Sequence, residues 1–91
     1  MKSLVECRQE LNEIDDELQE LFIKRMGCIR EVAFYKIIHE LPIYDPEREA
    51  AMIERLCGKV EPGLRPYYKK YLKEILKVSK ELQQEIISNS K

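Results

Sequence analysis

Two positively charged side chains lie where a helical pattern calls for apolar ones. Arg25 falls in a run of residues at the three- and four-residue spacing of one helix face. Lys36 follows eleven residues later, so at about 100° per residue it returns to nearly the same face. A buried arginine without a partner is very costly, so this position requires an anion, a carboxylate side chain or water. The run comprises Leu4, Cys7, Leu11, Ile14, Leu18, Leu21, Arg25, Cys28 and Val32.

A second apolar run, near the C-terminus, carries two neutral polar side chains. These are Ser79 and Gln83, which interrupt the helical spacing of Leu72, Ile75, Leu76, Leu82 and Ile86. Polar positions on the inner faces of separate helices predict one polar pocket inside a helical bundle. The alternative is a set of internal salt bridges, and spacing alone does not separate the two hypotheses.

The element that carries Arg25 and Lys36 is a very long helix. Ser3 and Glu6 form a capping box before the periodic run. The run continues to about residue 40, and Pro42 prevents the helix from extending further. A helix over 4–40 is about 55 Å long, whereas a compact domain of this size has a radius of gyration near 12–13 Å. Its far half must therefore bury its apolar face against something outside the chain, and a dimer is the simplest answer.

Two shorter helices follow. Asp45 is a good N-cap and Pro46 a good first residue for a helix over about 46–58. A third helix is predicted over about 66–87, and no β-alternation of useful length occurs. We therefore predict an all-α fold, with residues 1–91 as one domain of one long, one short and one medium helix.

Composition and charge exclude several functional classes. Sixteen basic and seventeen acidic residues give a net charge of −1, which argues against a nucleic-acid partner. No apolar stretch approaches the roughly 20 residues of a membrane span, and the N-terminus does not resemble a signal peptide. Cys7, Cys28 and Cys57 fit no zinc or redox spacing, so we interpret them as free thiols, mostly in the core, in a reducing cytoplasm.

Lysines recur at helical spacing along the third predicted helix. They could form an anion-binding or partner-binding face. Acidic residues interleave them, however, so we predict a solvated face instead. The lysines concerned are Lys69, Lys73, Lys77 and Lys80.

The polar positions form a recognisable set when they are taken together. The motifs are Leu4-x-x-x-Arg8, Ile14-Asp15-x-x-Leu18, Arg25, Val32-x-x-x-Lys36, Pro42-Ile43-Tyr44-Asp45-Pro46-Glu47-Arg48-Glu49 and Ser79-x-x-x-Gln83. This set strongly resembles the all-helical chorismate mutases, over nearly the whole chain from about Leu4 to Ile87. The resemblance implies an intertwined homodimer that isomerises chorismate to prephenate, the branch step toward phenylalanine and tyrosine, with no metal and no cofactor.

The resemblance also implies a role for each polar residue. Arg8 of the partner chain and Arg25 would clamp the two carboxylates of chorismate, assisted by Ser79, because guanidinium forks bind carboxylates bidentately. Lys36 and Gln83 would donate hydrogen bonds to the ether oxygen, where negative charge develops as the bond to carbon breaks. The remaining residues form the helix-two polar group: Glu49, with the backbone of Asp45, would accept from the ring hydroxyl, and Arg48 would tune the field and hold Glu49 in place.

Two alternatives compete with this prediction. The same scaffold could eliminate pyruvate from isochorismate, although Glu49 favours the mutase because it supplies a partner for the ring hydroxyl of chorismate. A non-catalytic helical regulatory or interaction module predicts apolar residues at Arg25, Lys36 and Gln83, or the pairing of these side chains with protein carboxylates. The sequence alone leaves open whether this domain stands alone or is part of a fused enzyme.

Overall fold

The protein is an all-helical chain of three helices and a short connecting turn. A computed structural model describes all the residues, Met1–Lys91. The helices are α1 (Leu4–Ile38), α2 (Pro46–Cys57) and α3 (Arg65–Asn89), and a 3-10 turn over Pro62–Leu64 precedes α3. The prediction of an all-α fold with one long, one short and one medium helix is confirmed.

The ends of α1 are fixed by local hydrogen bonds. Ser3 is the N-cap, and its hydroxyl accepts from the backbone N–H of Glu6 at 3.1 Å. At the other end the N–H of Leu41 donates to the carbonyl of Lys36 at 2.9 Å, which is the 6→1 hydrogen bond of a Schellman motif. Glu40 provides the left-handed residue of this closure, with φ 53°. The helix therefore ends at Ile38, two residues before the predicted end near residue 40.

The start of α2 follows the sequence pattern closely. Asp45 is the N-cap, its side chain accepts from the N–H of Arg48 at 3.1 Å, and Pro46 opens the helix. This cap places Arg48 and Glu49 in the first turn of α2, beside the chain segment that leaves α1. At the opposite end, Gly58 caps the helix.

α3 is the central element, because both α1 and α2 pack against it. Its inner face contributes four of the five buried residues: Leu72, Leu76, Ser79 and Gln83. The fifth is Ala33, in the C-terminal half of α1. The core is thus small and lies where α3 crosses that half of α1, and two of its members are polar.

The molecule is elongated because α1 extends past the small core, and the apolar face of its N-terminal half is largely exposed. Its dimensions are 55 × 26 × 14 Å and its radius of gyration is 16.5 Å, against about 12 Å for a compact domain of this length. Large apolar side chains along this half are exposed, including Leu11, Ile14, Leu18 and Leu21. Such a contiguous apolar face marks an interaction surface.

The three cysteines are not core residues of the single chain. Cys28 is exposed, and Cys7 and Cys57 are only half-buried, so the prediction that they lie mostly in the core is wrong. The reason is that Cys7 and Cys28 belong to the apolar face of α1 that the chain itself leaves uncovered. All three are free thiols. None of the helices is both long and apolar enough to cross a membrane.

Candidate active site

One cavity brings together seven of the eight site residues predicted from the sequence. It lies between the C-terminal half of α1, the start of α2 and the middle of α3. Apolar side chains from all three helices, such as Ile29, Met52 and Leu76, complete its wall. The seven residues are Arg25 and Lys36 from α1, Asp45, Arg48 and Glu49 from the N-terminal end of α2, and Ser79 and Gln83 from α3.

Ser79 holds Arg25 in the cavity. The Arg25 guanidinium donates to the Ser79 hydroxyl, which in turn donates to the carbonyl of Ile75 at 2.8 Å. The hydroxyl proton is therefore already used within α3, and Ser79 acts on Arg25 rather than as a free donor. A guanidinium has five N–H groups, so most of those on Arg25 stay available to an anion. Burial lowers the pKa of Arg25, and repulsion from Arg48 adds to this effect.

Lys36 and Gln83 form a second pair at the other end of the cavity. The Lys36 ammonium donates to the Gln83 side-chain oxygen at 2.9 Å and to the Ile43 carbonyl at 2.7 Å. These two bonds use two of its three donors. The contact with Lys36 also fixes the Gln83 amide, whose Nε2 donates to no protein atom. One N–H of Lys36 and the amide of Gln83 thus remain for a ligand.

Electrostatics in the cavity oppose the charge on Lys36. Burial lowers the pKa of Lys36, and repulsion from Arg48 works in the same direction, whereas Asp45 and Glu49 raise it. The attraction of an anion bound between these groups would offset both the desolvation penalty and the repulsion. The site is therefore electrostatically unfavourable when empty and suited to a negatively charged ligand.

Lys80 is a site residue that sequence reasoning missed. We predicted that it lies on a solvated face, but this is wrong: it lines the cavity and contacts both oxygens of Glu49, at 3.0 and 3.2 Å. Its ammonium also lies 4.6 Å from the centroid of the Tyr44 ring. The signal was present in the spacing, because Lys80 joins Leu76, Ser79 and Gln83 in an i, i+3, i+4, i+7 pattern on one face of α3.

The cations of the cavity are not neutralised by internal salt bridges. No Asp or Glu oxygen lies within 4.0 Å of the side-chain nitrogens of Arg25, Lys36 or Arg48. Only Lys80 is paired, with Glu49. Four cations and two carboxylates line the cavity, so its net charge is +2. This arrangement can bind a small dianion through charge-assisted hydrogen bonds and can stabilise negative charge that develops on it.

Arg8 does not reach this cavity within its own chain. It is exposed in the N-terminal half of α1, seventeen residues before Arg25. At 1.5 Å per residue the two side chains emerge about 25 Å apart along one straight helix. A single chain therefore cannot bring both arginines to one small ligand.

The chain matches the family model for chorismate mutase type II over residues 7–84. This match covers every cavity residue named above, and it includes Arg8. The chain belongs to the chorismate mutase type II family. The resemblance inferred from the polar residues is thereby confirmed.

Individual relatives of this chorismate mutase family member match over shorter stretches. The T-protein of Haemophilus influenzae is 44% identical over 54 residues, which are 59% of this chain and 14% of that protein. The T-protein of Enterobacter agglomerans is 40% identical over 50 residues, 55% of this chain and 13% of that protein. A chorismate mutase of Methanocaldococcus jannaschii is 34% identical over 56 residues, 62% of this chain and 57% of that protein.

Proposed function

We propose that this chain catalyses the rearrangement of chorismate to prephenate. The observation that carries the proposal is the cavity with a net charge of +2, in which Arg25, Lys36 and Arg48 lack carboxylate partners. Chorismate is a dianion of matching charge. Its rearrangement is concerted and unimolecular, so the enzyme gains rate by holding the reactive chair conformer and by stabilising charge in the transition state.

In this proposal the two ends of the cavity have different tasks. Arg25, held by Ser79, clamps a carboxylate, and Arg8 of a second chain clamps the other. Lys36 and Gln83 donate to the ether oxygen as its bond to carbon breaks, which their unused N–H groups support. Glu49 accepts from the ring hydroxyl.

The other two residues at the start of α2 act from a greater distance. Asp45 caps α2 and so fixes the backbone around Glu49. Arg48 strengthens the positive field through which the cavity attracts the substrate, which is consistent with its effect on the pKa values of Arg25 and Lys36.

We further propose that the active form is an intertwined homodimer of antiparallel α1 helices. An antiparallel partner would bring its Arg8 between Arg25 and Lys36, with the two-fold axis near Gln19 to Leu21. The exposed apolar face of the N-terminal half of α1 supports this arrangement. So does an open apolar groove of about 330 Å³ between α1 and α3, lined by residues such as Leu18, Leu21 and Ile75. The three free cysteines suit a reducing compartment, and we propose the cytoplasm.

An ultraviolet assay of the purified chain with chorismate tests the proposed activity. We expect chorismate to disappear and the product, an isomer of the same mass, to be identified as prephenate by its acid-catalysed conversion to phenylpyruvate. A parallel assay with isochorismate tests the elimination of pyruvate by the same scaffold. Turnover of isochorismate without turnover of chorismate would contradict the proposal, as would inactivity toward both.

A further inference from the structure

Lys80 links α2 to α3 through the carboxylate of Glu49. The Glu49–Lys80 pair is an ion pair between different helices, whereas the other ion pair of the chain, Lys2–Glu10, lies at the start of α1. Both side chains are largely shielded, with 20% of Glu49 and 32% of Lys80 exposed. A partly desolvated pair is screened less by water and salt than a surface pair. The contact therefore constrains the carboxylate more than an exposed pair would.

The position of α2 gives this contact its importance. α2 contains no fully buried residue, and it packs against α3 but not against α1. Its apolar anchors, Met52, Ile53 and Leu56, are only half-buried. Glu49 lies in the first turn, where the helix begins after a loop. An ion pair at that point holds the turn against α3.

Tyr44 fixes the lysine from the other side. Its ring lies under the ammonium at 4.6 Å, a cation–π distance. Because the ammonium is held by both the Tyr44 ring and the Glu49 carboxylate, its direction is set within the loop–α2–α3 corner.

We propose that Lys80 is a positioning residue that sets substrate affinity by holding the Glu49 carboxylate oriented toward the ring hydroxyl. This inference rests on the proposed function, in which Glu49 accepts a hydrogen bond from that hydroxyl. The hydroxyl does not take part in the bond changes, so its hydrogen bond is made equally in the bound substrate and in the transition state. Loss of such a uniform interaction raises KM and leaves kcat nearly unchanged.

The test compares variants that change only the ammonium. Lys80→Met keeps a long unbranched side chain that still packs on Tyr44, and Lys80→Arg keeps the charge. Lys77→Met is the matched control, because Lys77 is exposed on the same helix and makes no ion pair. Each substitution at position 80 is also made in a Glu49→Gln background. Circular dichroism and the midpoint of thermal unfolding establish that each variant is folded.

We expect Lys80→Met to raise KM about tenfold with kcat within about threefold of wild type, the size expected for one charge-assisted hydrogen bond. Lys80→Arg should recover most of the affinity, and Lys77→Met should match wild type. In the Glu49→Gln background, Lys80→Met should change KM less than about twofold, because the partner through which it acts is gone.

Three results would overturn the inference while the wild-type chain still turns over chorismate. The first is an unchanged KM in Lys80→Met. The second is a loss mainly in kcat, which would place the ammonium at the reacting atoms. The third is a full effect of Lys80→Met in the Glu49→Gln background, which would mean that Lys80 contacts the substrate directly. Absence of turnover in the wild-type chain would instead contradict the proposed function.

Discussion

The two halves of α1 differ in what they carry and in what they contact. The C-terminal half packs against α3, contributes the buried Ala33, and presents Arg25 and Lys36 to the cavity. The N-terminal half carries an equally regular apolar face, but that face is exposed in the single chain. One continuous helix thus contains a packed C-terminal half and an exposed N-terminal half.

This difference supports the proposal that α1 packs against a second chain. Burying a large aliphatic side chain contributes about 1.5–3 kcal/mol, so leaving several of them in water is a substantial loss for a domain with so small a core. Arg8, the predicted site residue absent from the cavity, lies on that same exposed N-terminal half. A second copy of the chain would supply the missing packing and the missing arginine together.

The largest expected effect is on kcat and comes from a substitution in the packed C-terminal half of α1. Lys36→Ala should lower kcat by about 10²- to 10³-fold, the loss typical of removing a donor to developing negative charge in a desolvated site. Lys36→Arg should restore only part of the rate, because a guanidinium fork does not reproduce the geometry of a compact ammonium. Lys70→Ala, at an exposed position on α3, serves as the control. A kcat near the wild-type value in Lys36→Ala would contradict the assigned mechanism.

A substitution in the exposed N-terminal half of α1 tests whether its apolar face is an interface. Leu11 is 54% exposed in the single chain, so Leu11→Lys would be nearly neutral for a monomer. We expect it instead to weaken self-association and to lower specific activity at low protein concentration by about tenfold or more, because it introduces a charge into an apolar interface.

The control for Leu11→Lys is Ile23→Lys. Ile23 is 64% exposed and lies on the opposite side of α1 at about 100° per residue. Light scattering over a range of concentrations reports the association state of both variants. Equal association of the two variants and the wild type would remove the evidence that the apolar face of α1 is an interface.

The pH dependence of kcat/KM tests the electrostatics of the packed C-terminal half of α1. Burial, with a contribution from Arg48, lowers the pKa of Lys36. Deprotonation then occurs at lower pH than for an ordinary lysine, so kcat/KM should decline on the alkaline side at a pH below about 10.4. Lys36→Arg keeps its proton throughout, so its reduced kcat/KM should lack this decline. The same decline in that variant would assign it to another group.

The smallest expected effect is at the end of α1. Glu40 adopts φ 53°, a left-handed conformation that costs a non-glycine residue about 1–2 kcal/mol. Glu40→Gly would relieve this strain, but the greater conformational freedom of glycine in the unfolded chain offsets part of the gain. We therefore expect the substitution to stabilise the fold by up to about 1 kcal/mol. Chemical denaturation would measure this gain, and kcat should stay unchanged. A loss of stability would show that the Glu40 side chain contributes an interaction of its own.

The sequence predicted the fold and most of the candidate site because both depend on local signals. The caps at Ser3 and Asp45 and the helical spacing of Arg25, Ser79 and Gln83 are visible in one dimension, and the structure places them as the spacing implies. Lys80 was missed because neighbouring acidic residues made the lysine series resemble a solvated face. Whether a lysine at the edge of a helical face points inward depends on its partner, and Glu49 lies thirty-one residues away on another helix.

Two other features depend on geometry that spacing does not encode. The closure of α1 uses Glu40 in a left-handed conformation, at a position where glycine or asparagine is the usual signal. The hydroxyl of Ser79 was expected to assist a carboxylate of the substrate. Its donation to Ile75 and its acceptance from Arg25 follow from the rotamer of one side chain, which no sequence pattern specifies.

The central claim is that two chains share each site, and mixing two inactive variants tests it most directly. Arg8→Ala and Arg25→Ala should each lose most activity alone. After joint unfolding and refolding in equal amounts, half of the dimers should be mixed, and one of the two sites in each mixed dimer keeps both arginines. The account predicts recovery of about a quarter of wild-type activity. A mixture no more active than the separate variants would contradict it.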